Sequence, residues 1–142
     1  MPRVARLGAV AELSPAIWQV KGALTETLAG AFQFSSLIDS GALITTGTDW
    51  VILPAPNLFP ALGGMVDHGA ESIRLEHAIE AMTINGARSV GWEQSVGSIE
   101  VGKNANFIVL DRNLFGVPVR EIAGTTVLST VFEGNVVYTS DN

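Results

Sequence analysis

No cysteine occurs among the 142 residues, and there are only two histidines, His68 and His77. The first absence excludes disulfides and thiolate-held metals, and it fits a cytoplasmic protein. The second leaves the chain short of imidazole. A hydrolytic zinc centre draws on three protein ligands, mostly His, and these two are nine residues apart rather than at the i, i+4 spacing of one helix face. Positive charge is also scarce. The eight basic residues (Arg3, Arg6, Lys21, Arg74, Arg88, Lys103, Arg112, Arg120) form no stripe, and the net charge is −6. That balance argues against nucleic acid as a partner, because phosphate backbones require clustered Lys and Arg, and against anionic membrane surfaces. No apolar run reaches the length of a membrane span. The opening Met1-Pro2-Arg3-Val4-Ala5-Arg6 lacks the apolar core of a signal peptide, so the expected location is the cytoplasm.

Hydrophobic residues make up 47% of the chain and charged residues only 15%, against about a quarter charged in ordinary domains. A chain of this size has a high ratio of surface to volume and needs a generous polar exterior. Too few charges therefore imply apolar surface covered by something else, either a partner subunit or more of the same polypeptide. The alternative is a compact, glycine-rich domain with a weakly charged surface.

Along the chain, Arg3–Gly8 reads as the end of a helix closed by Gly8. Ala9–Leu13 reads as a buried strand stopped by Ser14-Pro15. Ile17–Thr25 is ambiguous. Leu28–Ser40 has helical spacing and stops at Asp39-Ser40-Gly41. Ala42–Thr46 is the next strand. Continuous apolar strands joined by helices predict a parallel sheet covered on both faces. Residues 50–70 hold too much Pro and Gly for a regular element, with room for a short helix over Asn57–Met65. Leu75–Met82 and Ile84–Val90 read as helices, the second capped by Thr83 and ended by Gly91. From Val96 the character turns to β. Val96–Gly102 alternates between glycines, and Phe107–Leu110, Val127–Phe132 and Val136–Tyr138 are strand candidates. The last two are joined through Glu133-Gly134-Asn135.

The stretch with the most chemistry is Leu43-Ile44-Thr45-Thr46-Gly47-Thr48-Asp49, a buried strand ending at a single carboxylate. Parallel α/β barrels present catalytic acids in this way. Asp49 could ligate a divalent metal or carry a proton; it could also cap a helix or bond loop N–H groups. Glu12, inside an apolar strand, either faces the mouth of the sheet or bonds a neighbouring strand. The serines have no neighbouring His and no elbow motif, and Gly63-Gly64 precedes no phosphate-loop signature. Trp18, Trp50 and Trp92 are expected to pack, and Thr83–Ala87 to be a close helix junction.

Three stretches together carry a family resemblance: Ala42–Trp50 with its Gly-Thr-Asp; Leu75–Gly91 with Thr83-Ile84-Asn85-Gly86-Ala87-Arg88; and Gly97-Ser98-Ile99-Glu100-Val101-Gly102-Lys103 running on to Phe107–Asp111. Arg6–Ala11 adds a fourth, similar to the turn into the preceding strand. Nearly the whole chain resembles the C-terminal part of metal-dependent hydrolases of the amidohydrolase superfamily. The subgroup is amidohydrolase family 3, related to N-acyl-D-amino-acid deacylases and exoenzyme regulatory proteins. Two departures are small: Ala105-Asn106-Phe107 stands where the family has Ala-Asp-Phe, and Arg74 where a helix-capping Ser or Thr is usual.

The resemblance implies an α/β fold comprising the last βα units of a TIM-type (β/α)8 barrel over residues 1–95, then part of a small β-sandwich over 96–142. It implies that Asp49 contacts the metal or its water and shuttles a proton in hydrolysis of carbon–nitrogen bonds outside peptides. It also implies that the remaining ligands, His-x-His and others, lie upstream. The chain alone is then expected to hold no cofactor and to be inactive, with a divalent metal, zinc, belonging to the intact parent. Barrels close by pairing first and last strands, so two lone strands expose edges and apolar faces. The expected partners are other copies of this chain or the missing N-terminal part. Met1-Pro2 falls within what reads as a helix, which fits a cut-out of a longer protein. The rival reading is a free-standing, non-catalytic module that oligomerises or binds a partner, including an enzyme remnant recruited for regulation.

Overall fold

The computed structural model describes residues 2–14, 30–50 and 56–141. Helix α1 (Pro2–Arg6) is closed by Gly8, whose φ of +63° carries the chain into strand β1 (Val10–Leu13). Helix α2 (Phe34–Asp39) ends in the same way at Gly41, φ +79°, and leads into strand β2 (Leu43–Thr46). The two strands pair in parallel, Val10 opposite Leu43 and Leu13 opposite Thr46, as the apolar strand–helix–strand pattern predicts. One face of this pair is sealed. Ala11, Leu13 and Ile44 pack into a core with Phe34, Leu37, Leu62, Met65 and Ile122, while Val10 and Glu12 are exposed on the opposite face, where Thr45 of β2 is buried.

Helix α3 (Phe59–Val66) follows, with Pro60 in its first turn, where a missing N–H costs nothing. Asn57 prepares its start, its side-chain oxygen accepting from the Phe59 N–H at 3.0 Å. A 3₁₀ turn (Gly69–Glu71), α4 (Leu75–Met82) and α5 (Ile84–Ser89) complete the helical layer. Glu71 reaches back to the first turn of α2, accepting from Ser36 N–H at 2.9 Å and Ser36 Oγ at 2.6 Å. A carboxylate is favoured at that end of a helix dipole. The side chains of Phe34, Leu62, Met65 and Ile122 are fully buried, each contributing about 1.5–3 kcal/mol of apolar burial.

The C-terminal part is an antiparallel sheet in the order β3 (Phe107–Leu110), β4 (Val127–Phe132), β5 (Asn135–Thr139). Between β3 and β4 the chain forms a 3₁₀ turn (Leu114–Gly116) and a short helix α6 (Val119–Ile122). Leu114 and Ile122 are buried in the common core.

Several expectations shift. Residues 17–25, with Trp18, and residues 28–29 lie outside the described residues; of the expected helix over 28–40, residues 30–33 are turn and irregular backbone and only Phe34–Asp39 is helical. Trp50 and Trp92 do not pack; they are 59% and 66% exposed. Thr83 stands at the N-cap of α5, but its hydroxyl donates backwards to Ile79 O at 2.7 Å, a local bond that competes with capping. The last third is less purely β than expected because of α6. The β4–β5 hairpin takes positive φ at Glu133 (+48°) and Gly134 (+79°), not at Asn135, which is already paired with Phe132. Two consecutive positive φ values give the two-residue turn whose twist suits a hairpin.

Candidate functional site at the strand ends

Asp49 lies three positions beyond the last residue of β2, exposed, with φ +49°. Few non-glycine residues adopt that region, and Asp is among those that tolerate it. The left-handed turn stands just past the C-terminal end of the parallel pair. Among the described residues it makes no ion pair.

β1 brings a second carboxylate to the same end. Glu12 sits opposite Thr45, one residue before the end of β1. Its Oε1 lies 2.8 Å from the position a Cβ would take on Gly47, and Ser14 Oγ approaches the same oxygen at 3.4 Å. A Cβ at 47 would therefore displace the flexible end of the Glu12 side chain. Glu12 lies on the face of β1 away from the helices, and among the described residues its side chain bonds Ser14 rather than the neighbouring strand.

β2 is anchored on its other edge. Gly47 N–H donates to Leu13 O at 3.1 Å, so by strand alternation the Ile44 carbonyl points the opposite way. There Asn85, buried in α5, donates through Nδ2 at 3.1 Å, while its Oδ1 accepts from Arg88 Nη1 at 3.0 Å. The junction is close, as the small residues predict. Its polar member was the missed signal: an Asn among Ile, Gly and Ala at a helix start is there to bond something.

The histidines stay apart from this end. His68 packs edge-on against Phe34, ring centroids 5.3 Å apart, and its backbone N–H donates to Ser72 Oγ at 2.7 Å. His77 is half-buried on α4. Among the described residues no three His, Cys, Asp or Glu side chains are grouped to hold a metal ion. Asp49 by itself is not a metal centre. Among the same residues no helix is long and apolar enough to cross a membrane.

An imidazolonepropionase from Clostridium tetani is 31% identical over 109 residues, covering 72% of this chain and 24% of the relative. An N-substituted formamide deformylase from Arthrobacter pascens is 30% identical over 115 residues, covering 75% and 21%. The chain thus spans under a quarter of the length of either relative. Among solved structures, an adenosine deaminase from Xanthomonas campestris with bound zinc superposes with a TM-score of 0.71 at 19% identity, over 95% of this chain and 33% of that one. That likeness supports the α/β fold. The Amidohydrolase family model matches residues 1–138, and the chain belongs to the amidohydrolase family.

Proposed function

We propose that the chain is the C-terminal portion of a metal-dependent hydrolase acting on carbon–nitrogen bonds of amide-like, non-peptide substrates. Residues 1–95 supply the last βα units of a (β/α)8 barrel and residues 96–142 part of a β-sandwich. The observation that carries this reading is the carboxylate of Asp49 standing in a left-handed turn just past the end of a parallel strand, where barrels place catalytic groups. The names of relatives that hydrolyse carbon–nitrogen bonds support it. The divalent metal, zinc, would be held by upstream residues; the chain alone would carry no cofactor. Its own contribution is proton handling. Asp49 takes a proton from the attacking water as the carbon–oxygen bond forms, and delivers it to the nitrogen as the carbon–nitrogen bond breaks. β1 and Asn85 position β2, and so that carboxylate. In the intact polypeptide, Asp49→Asn should lower kcat for amide hydrolysis by 10²-fold or more, the lower range of a general acid–base contribution, with little change in KM. Unchanged kcat would remove Asp49 from the chemistry.

A second reading, a non-catalytic module that self-associates or binds a partner, is favoured by the sheet β3–β5. Ile108 and Val109 are 48% and 45% exposed, and neighbouring strand residues face opposite sides, so both faces present apolar surface. Val136, Val137 and Tyr138 are exposed at the β5 edge. The partner is a second copy of the chain or the upstream part of the same protein. Light scattering on residues 1–142 separates the two readings in part: a dilution-resistant dimer supports the module, and a clean monomer weakens it.

A further inference from the structure

Glu12 has a placement the proton-transfer role leaves unused, and its meaning rests on the barrel reading above. The alternation of β1 puts Ala11 and Leu13 against the helices and Glu12 on the other face. In a barrel that other face is the interior. One residue before the strand's end, Glu12 would stand inside the barrel near its active mouth. A carboxylate enclosed there is costly unless an opposite charge or several donors meet it. Among the described residues its one side-chain partner is the Ser14 hydroxyl, at a long 3.4 Å, and none of the seven described Lys or Arg residues forms an ion pair with it. Glycine at 47 keeps open the space that its carboxylate occupies.

We infer that Glu12 is a specificity-determining residue, binding the cationic or N–H-rich end of the substrate at the barrel mouth. The substrate class is then amide-like compounds carrying an ammonium, amidinium or protonated nitrogen heterocycle beside the scissile bond. Glu12 supplies charge and two acceptor oxygens, and Asp49 is left to move the proton.

The test is binding, so it does not depend on turnover. Calorimetric titration of the intact polypeptide with benzylammonium and with benzyl alcohol compares a cation with a neutral molecule of the same size. The wild type should prefer the cation roughly tenfold to a hundredfold, the range for hydrogen bonds to a charged group. Glu12→Gln should remove most of that preference. Gly47→Ala, which keeps the charge but forces the carboxylate to move, should reduce it. Equal affinities in the wild type, or a preference unchanged in Glu12→Gln, overturns the inference; the latter includes the case where Lys21 (outside the described residues) or an upstream cation already neutralises Glu12. Hydrolysis of cationic and neutral amides is measured separately. No turnover of either counts against the hydrolytic function, while the binding comparison still decides the role of Glu12.

Discussion

Among the described glycines, Gly97 is the one where an added Cβ would meet the closest contact. Gly97 has φ +95°, and a Cβ there would lie 2.7 Å from Ala87 Cβ, 2.9 Å from Ile84 Cα and 3.2 Å from Ile84 Cδ1. Two costs combine. The left-handed backbone costs a non-glycine residue about 1 kcal/mol. The clash is with the backbone of α5 rather than with the tip of a flexible side chain, so relief needs a shift of the helix or of the 92–104 segment, and such overpacking costs about 1–3 kcal/mol. Gly102 supplies the control: its φ is +92° and no atom lies within 4 Å of its would-be Cβ, so Gly102→Ala reports backbone strain alone. Urea unfolding of residues 1–142, followed by far-UV circular dichroism at low protein concentration, gives both. With a slope of about 2 kcal/mol per molar, Gly97→Ala should move the midpoint down by roughly 1–2 M and Gly102→Ala by about 0.5 M. Equal shifts would refute the argument that the segment after α5 is packed backbone against backbone.

Three further outcomes follow from the same reasoning. Asn85→Ala leaves the Ile44 carbonyl without its donor and opens a gap at a buried site, so urea unfolding should show a loss of about 1–3 kcal/mol; a loss below 0.5 kcal/mol would mean that water replaces the amide freely. Asp111 is held at a pKa of about 2, first by the Arg112 guanidinium and then by the Thr126 N–H. Because the folded value lies below the ordinary 3.8, its contribution is full above about pH 4 and is lost as pH falls towards 2; Asp111→Asn should flatten that part of the acid limb in thermal melts, and an unchanged limb would contradict the pairing. Glu71 is likewise held below its usual range by Ser36, through both hydroxyl and backbone N–H, so Ser36→Ala should raise the Glu71 carboxyl pKa read by NMR titration; no rise would show that Ser36 does not set it.

Much of this fold can be read from the residues because local signals agree with the packing. Gly8 and Gly41 mark helix ends, the apolar β1 and β2 runs imply parallel pairing, and Leu75–Met82 is a helix with a clear apolar stripe. What escaped depends on contacts distant in sequence. Short α6 has too few residues for a period, and it exists because Ile122 reaches the core of the N-terminal part. The hairpin's positive φ falls on Glu133, where composition favours Asn135, because the register of β4 and β5 selects a two-residue turn. At the candidate site, the place of Asp49 just past the end of β2 was legible from the residues. The direction of Glu12 was not, since alternation in a four-residue strand leaves two faces, and only the core on the Ala11 and Leu13 side chooses between them.

The most direct test takes residues 1–142 by themselves, supplies zinc, and measures both bound metal by mass spectrometry and hydrolysis of simple amides. The account predicts no stoichiometric metal and no turnover, because one strand-end acid lacks the imidazoles that upstream sequence would bring. One tightly held zinc per chain together with amide hydrolysis would contradict it.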